Sequence, residues 1–356
     1  MNTPEVSLAD VRSAAERIKQ YIHRTPVTNS RTVDKMASTE NLSLKVLMKC
    51  ENLQKVGAFK IRGATNAVIS LLEDMKSEEE KGNLSVITHS SGNHAQALAL
   101  ASQELGVSCQ VVMPSNSASV KKDAVRGYGA TVTECVPTLQ AREDGVKEIM
   151  DRMRSEGQDI VLVPPYDDVR IIAGQGTLAL EFIEQAKETG DDLDILITPV
   201  GGGGMLSGCA IAAKGIDPGI WVVGAEPTAA DDAYRSFTSK TFVPSVNPNT
   251  IADGLRTSLG ELTFPLILNC VDAIHTVSEE QIIRAMKFVY ERVKLVIEPS
   301  SAVTLAVVLY SPEFRASLNE IARKRGKNDS LNVGIVFSGG NVDLAMISDL
   351  FKSIKD

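Results

Sequence analysis

The chain has 356 residues, 43% of them hydrophobic and 23% charged, enough apolar side chain for two folded units or one large one with an inserted lobe. Its formal net charge of −8 argues against a dominant nucleic-acid or anionic-membrane surface, since both need clustered Lys and Arg. Cys50, Cys109, Cys135, Cys209 and Cys270 form no CxxC pair, and their odd number fits reduced, mostly buried thiols. The opening MNTPEVSLADVRSAAERIKQ lacks the apolar stretch of a signal peptide, and no apolar run approaches the ~18 residues of a spanning helix. A soluble, cytoplasmic chain is expected.

The first predicted helix follows Ser7, which with Asp10 resembles a capping box, and carries Val11, Ala14, Ala15 and Ile18 at helical spacing. Thr25-Pro26 ends it. Short apolar runs then predict strands over 44–50, 86–88, 110–113, 131–135, 195–200, 221–225 and 333–337. Between most of them lie helical patterns such as 95–104 and 178–187. This alternation predicts an α/β fold of parallel twisted sheets covered by helices on both faces. Two charged connectors, at 73–83 and 152–158, suggest a small domain (73–159) inserted into a larger one made of 1–72 and 160–356.

Three strand-to-helix turns rich in Gly could line one pocket at the carboxyl ends of parallel strands. The strongest is Gly201-Gly202-Gly203-Gly204-Met205 after the apolar run DILITPV. Glycines let backbone amides approach an anion and the following helix start favours negative charge, so phosphate is the natural guest. The loop matches neither a Walker A motif nor GxGxxG, and a tight turn without ligand is the alternative. The other two turns are Ser338-Gly339-Gly340-Asn341 and Ser90-Ser91-Gly92-Asn93-His94. Lys60 stands among apolar residues and glycines at a probable helix start, where desolvation and the dipole both disfavour its charge. Such a lysine suits Schiff-base chemistry, although composition alone would make it a surface lysine.

Five segments then resemble, in order, the fold-type II pyridoxal-phosphate enzymes: KCENLQKVGAFKIRGATNAV, THSSGNHAQALAL, AGQGTLALE, PVGGGGMLSG and FSGGNVDL. The likeness is greatest to the serine racemase and threonine dehydratase family and runs from about His23 almost to the C-terminus. It implies that Lys60 carries the cofactor covalently, with Phe59 packed on its ring. Gly201 to Gly204 and Met205 would cradle the phosphate, Asn93 would meet the ring hydroxyl and Ser338 the pyridine nitrogen. Gly254 and Glu298 match further cofactor-lining positions. Serine at the ring nitrogen, unlike an aspartate, does not hold the ring protonated, so it weakens the electron sink.

The resemblance also places Ser90, Ser91, Asn93, His94 and Arg142 around the substrate. Ser91 matches the serine that serves racemases as acid or base on the face opposite Lys60, where dehydratases typically have alanine. Glu226, the carbonyl of Ala230 and Asp232 match a racemase divalent-cation site, suited to Mg²⁺, Ca²⁺ or Mn²⁺. Lys55, Gln96 and Tyr128 match positions used for ATP, a possible activator, at a homodimer interface. Two departures stand out: Ala58 replaces the usual serine, and Pro164-Pro165-Tyr166 stands where animal racemases have His-Pro-Asn. The implied activity is serine racemisation with β-elimination to pyruvate and ammonia. The alternatives are a serine, threonine or 3-hydroxyaspartate dehydratase, or an aspartate racemase. A binding protein that keeps the phosphate cradle without turnover is the reading from another class.

Overall fold

A computed structural model describes residues 6–90, 92–117 and 119–354. Among them ten strands form two sheets: β1 (Val27–Asn29), β2 (Ser43–Cys50), β3 (Leu84–His89), β4 (Ser108–Pro114), β5 (Thr131–Cys135), β6 (Asp159–Leu162), β7 (Ile195–Pro199), β8 (Trp221–Pro227), β9 (Ala273–Val277) and β10 (Ser330–Phe337). The six-stranded sheet has the order β1-β2-β10-β7-β8-β9, parallel except for β1 at its edge. The four-stranded sheet, β5-β4-β3-β6, is wholly parallel.

Parallel strands buried on both faces explain the unbroken apolar runs seen in the sequence. In β7, Ile195 and Ile197 face the apolar helix Pro299–Tyr310 and its neighbours, whereas Leu196 faces the helices Val169–Glu188 and Gly204–Ile216. The helix Lys60–Asp74 joins the two halves. Its Ile61, Ala64, Val68 and Leu71 enter the core of the four-stranded sheet. Its other side meets the helix Val169–Glu188 so closely that a Cβ on Gly174 would lie 2.6 Å from the Cα of Gly63. The residue at which a boundary was expected, 159, opens β6, the last strand of the smaller sheet.

The neighbours β2, β10 and β7 run parallel, so their carboxyl ends lie together. From these ends emerge the segment leading to Lys60, the Ser338 turn and the glycine loop. β3 delivers Ser90 from the other sheet.

Candidate active site

Lys60 is the first residue of its helix, and the chain before it is tightly constrained. Val56 (φ 54°) and Gly57 (φ 67°) are both left-handed, which strains a β-branched residue. The carbonyl of Val56 accepts from Asn341 Nδ2 at 2.7 Å, and the amides of Phe59 and Gly340 close onto the Ser338 and Gly57 carbonyls at 3.0 and 2.9 Å. The Lys60 Nζ donates to the Pro165 carbonyl at 2.7 Å and lies 5.1 Å from the centre of the Phe59 ring. Burial pulls its pKa down to about 8, against the opposing pull of Glu298. An amine in that range exchanges its proton readily near neutral pH.

The glycine loop leaves β7 and turns into the helix Gly204–Ile216, with Gly203 at φ 90°. The amides opening that helix have no carbonyl of their own turn to bind, so they suit an anion. The glycines are also required by the walls around them. A Cβ on Gly202 would penetrate the ring of Tyr166, and one on Gly204 would lie 2.9 Å from the Tyr166 carbonyl oxygen. One on Gly201 would lie 3.1 Å from the carbonyl of Gly254, whose amide donates to Ser300. Thr263 ties the loop from beneath, its hydroxyl donating to the Gly202 carbonyl at 2.8 Å.

The third wall is a chain of polar side chains. Asn93 Nδ2 donates to both oxygens of Glu298, at 3.0 and 3.3 Å, and Asn341 Nδ2 donates to Asn93 Oδ1 at 2.9 Å. Burial, reinforced by Asp253, pushes the Glu298 carboxyl up to about 7. Ser338 is buried with its hydroxyl 3.1 Å from that of Ser301, which also bridges the amide and carbonyl of Gly339. A depressed amine, an amide-rich loop at a helix start and a buried serine thus converge.

The profile of the pyridoxal-phosphate dependent enzymes matches residues 18–320. The chain belongs to this family. It is 47% identical to the serine racemase of Dictyostelium discoideum over 97% of its length and 98% of the relative's. To the beta-hydroxyaspartate dehydratase of Paracoccus denitrificans it is 42% identical, over 94% and 96% of the two chains. The solved maize serine racemase superposes with a TM-score of 0.85 at 38% identity, over 98% and 97%.

The residues fit the family's cofactor: Gly201 to Gly204 and Met205 would hold the phosphate and Lys60 the aldehyde carbon, with Ser338 tied through its carbonyl to the Phe59 amide just before Lys60. Ser91, the expected acid on the second face, lies outside the described residues. Its neighbour Ser90 is half-buried and accepts from the Gly92 amide at 3.3 Å. His94 turns into the protein, with Nε2 3.0 Å from the Val163 carbonyl, and burial with the nearby Lys60 charge holds its pKa at about 3. Arg142 is half-buried, its Nε donating to Thr138 in its own helix at 3.4 Å.

Away from the cleft, Glu226, the penultimate residue of β8, accepts from the amides of Ala233 and Tyr234 at 2.9 and 2.8 Å. Asp232 is 1% exposed; its carboxyl, pushed up to about 6 by burial, has its own amide, Ser245 and the Leu259 amide as polar neighbours but makes no hydrogen bond of good geometry. Ala230 is buried in the intervening turn. Among the described residues no group of three or more His, Cys, Asp or Glu could hold a metal ion, so a cation here would rest on two carboxylates and the Ala230 carbonyl. Lys55 pairs with Glu104 at 2.6 Å, Gln96 is buried and Tyr128 packs against the core of the smaller sheet.

Several residues of the site had no expected role. Tyr166 walls the glycine loop, Pro165 receives Lys60, and Asp167 clamps the amides of Glu261, Leu262 and Thr263 at 2.9 to 3.2 Å. Asn341 stood in a recognised turn, and Ser301 carried no local signal. Among the described residues, no helix is long and apolar enough to cross a membrane.

Proposed function

We propose that the chain interconverts L- and D-serine with pyridoxal phosphate and also eliminates the β-hydroxyl to give pyruvate and ammonia. The observation that carries this reading is the Lys60 amine, lowered to about 8, beside the glycine loop and Ser338 in a chain 47% identical to a serine racemase. Bound pyridoxal phosphate supplies an electron sink that acidifies the substrate α-proton. The loop amides anchor the phosphate, Asn93 meets the ring hydroxyl, and Phe59 packs against the ring. Lys60 takes the α-proton on one face and Ser91 returns one on the other, the latter assignment resting on the resemblance.

Mg²⁺ or a similar hard cation at Asp232, Glu226 and the Ala230 carbonyl belongs to this reading. It is supported by two neighbouring buried carboxylates, of which Asp232 makes no hydrogen bond of good geometry. ATP at Lys55, Gln96 and Tyr128 of a cytoplasmic homodimer rests on the resemblance alone.

A second reading, dehydration of 3-hydroxyaspartate, is favoured by Arg142. Burial and, after it, the Arg142 charge lower the pKa of His89 at the end of β3, and a guanidinium there would pair with a second substrate carboxylate. Chiral chromatography of products from L-serine, with pyruvate assayed in the same tube and 3-hydroxyaspartate run in parallel, separates the two. D-serine establishes racemisation; pyruvate without D-serine makes the chain a dehydratase. Preferential turnover of 3-hydroxyaspartate supports the second reading.

A further inference from the structure

The helix that carries Lys60 begins without a side-chain cap of its own: Phe59 occupies the cap position and makes no such bond. Its first two turns are held instead by groups from elsewhere in the chain. The Gly63 amide donates to Gln175 Oε1 at 3.2 Å, and Asn66 Nδ2 donates to the Arg170 carbonyl at 2.7 Å. Arg62, two residues after Lys60 and 0% exposed, supplies the remaining hold.

Its guanidinium makes a two-pronged pair with Glu51, Nε to Oε2 at 2.7 Å and Nη2 to Oε1 at 2.8 Å. The same group reaches both oxygens of Glu181 at 3.1 Å. Glu181 also pairs with the buried Lys49, which donates to Gln185 and the Thr25 carbonyl at 2.6 and 2.8 Å. Thr25 closes the ring through its hydroxyl on Glu51 at 2.5 Å.

Two cations and two carboxylates therefore balance inside the protein, linking the end of β2, the Lys60 helix and the helix Val169–Glu188. Burial opposes the charge on Arg62, but Glu51 and Glu181 outweigh it and hold its pKa above the ordinary value. Buried ion pairs of this kind are poor sources of stability, because desolvation offsets much of their attraction. Their strength is directional: a planar fork fixes the position of the residue that bears it.

We propose that the Arg62–Glu51–Glu181 cluster is a positioning device for the Lys60 amine, setting the rotation of the first helical turn so that Nζ meets the reacting carbon. This rests on Lys60 being the cofactor lysine. The geometry supports it from both sides. Glu51 follows β2 directly, and Glu181 lies on the helix that follows Pro165, whose carbonyl receives Lys60 Nζ. A shift of the fork would move Lys60 relative to that carbonyl and to the glycine loop. Arg62 is a positioning residue, since its side chain is fully enclosed.

Arg62→Lys keeps the charge but loses the fork, and Glu181→Gln keeps the shape while removing one charge and leaving the Glu51 pair. Each holoprotein is measured for borohydride-fixed pyridoxal phosphate at Lys60, for visible circular dichroism of the bound cofactor, and for kcat and KM separately. The rate of reconstitution from cofactor-free protein is followed as well. Arg62→Lys should keep a folded far-ultraviolet spectrum and label at Lys60. Its visible circular dichroism and reconstitution rate should fall, and kcat should drop about 10- to 100-fold with KM little changed, the scale of a misplaced reacting group. Glu181→Gln should show the same pattern more weakly. If either variant folds with unchanged circular dichroism, reconstitution and kcat, losing only thermal stability, the cluster is structural and the proposal fails. If Arg62→Lys does not fold, Glu181→Gln alone decides. A wild-type protein without label at Lys60 would instead overturn the cofactor assignment.

Discussion

Substitution of Gly202 by Ala tests how the glycine loop is built. The new methyl group would overlap Cγ, Cδ1 and Cδ2 of Tyr166, the root of the ring rather than a mobile tip. The ring cannot withdraw with its backbone. The Tyr166 Cα, Cβ and carbonyl oxygen already lie about 3 Å from where a Gly204 Cβ would stand, and Asp167 is clamped by three amides. Overpacking of this kind costs about 1–3 kcal/mol. The part of this cost that the loop cannot relax in Gly202→Ala should lower the thermal midpoint of the cofactor-free protein, and the part it relieves by leaving the binding geometry should weaken pyridoxal-phosphate binding, by about 5- to 150-fold if all of it falls there. Removing the ring in the same chain (Tyr166→Gly) should relieve the clash, giving a coupling of about 1–3 kcal/mol in a double-mutant cycle. Thermal unfolding and fluorescence titration with pyridoxal phosphate measure both. A single variant with wild-type stability and affinity, or a coupling near zero, would refute the argument that Tyr166 enforces the glycine.

Glu298 has a raised folded-state pKa, so its contribution to stability is full below the ordinary value of 4.5 and is lost as pH rises through about 7. Glu298→Gln should therefore gain on the wild type by up to about 3 kcal/mol between pH 5 and 8, whereas parallel denaturation curves would contradict this. Asp232→Asn should abolish the stabilisation that Mg²⁺ gives the chelator-treated protein, about 2.7 kcal/mol at a hundred-fold excess over Kd, as read by thermal melts. An unchanged Mg²⁺ response would place the cation elsewhere. Ser91→Ala should reduce D-serine formation far more than pyruvate formation from L-serine, and equal losses would remove Ser91 from the second face.

The parallel sheets were legible because strands buried on both faces leave unbroken apolar runs; every strand expected from the sequence is present within a few residues. The three strands not anticipated carry weaker patterns. β1 is three residues at a sheet edge, β6 has four residues after a charged helix, and β9 is interrupted by His275. The glycine loop was legible as a local constellation, whereas Lys60 stood out through the family resemblance, since composition alone would make it a surface lysine. Tyr166 was visible only as a departure from a family pattern, since nothing local shows which loop its ring will meet. The Arg62 cluster pairs opposite charges up to 132 positions apart, and charges at such separations leave no local trace. His94 follows Asn93 directly, yet successive helical residues point about 100° apart, and here the second turns inward to Val163.

Every role proposed for the site depends on Lys60 binding pyridoxal phosphate covalently at the carboxyl ends of the parallel strands. Incubation of the protein with pyridoxal phosphate, reduction with borohydride and peptide mass mapping test it directly. A pyridoxyl group on Lys60 is expected, lost in Lys60→Ala together with turnover of serine. A label on another lysine, or a Lys60→Ala variant with full turnover, would contradict it.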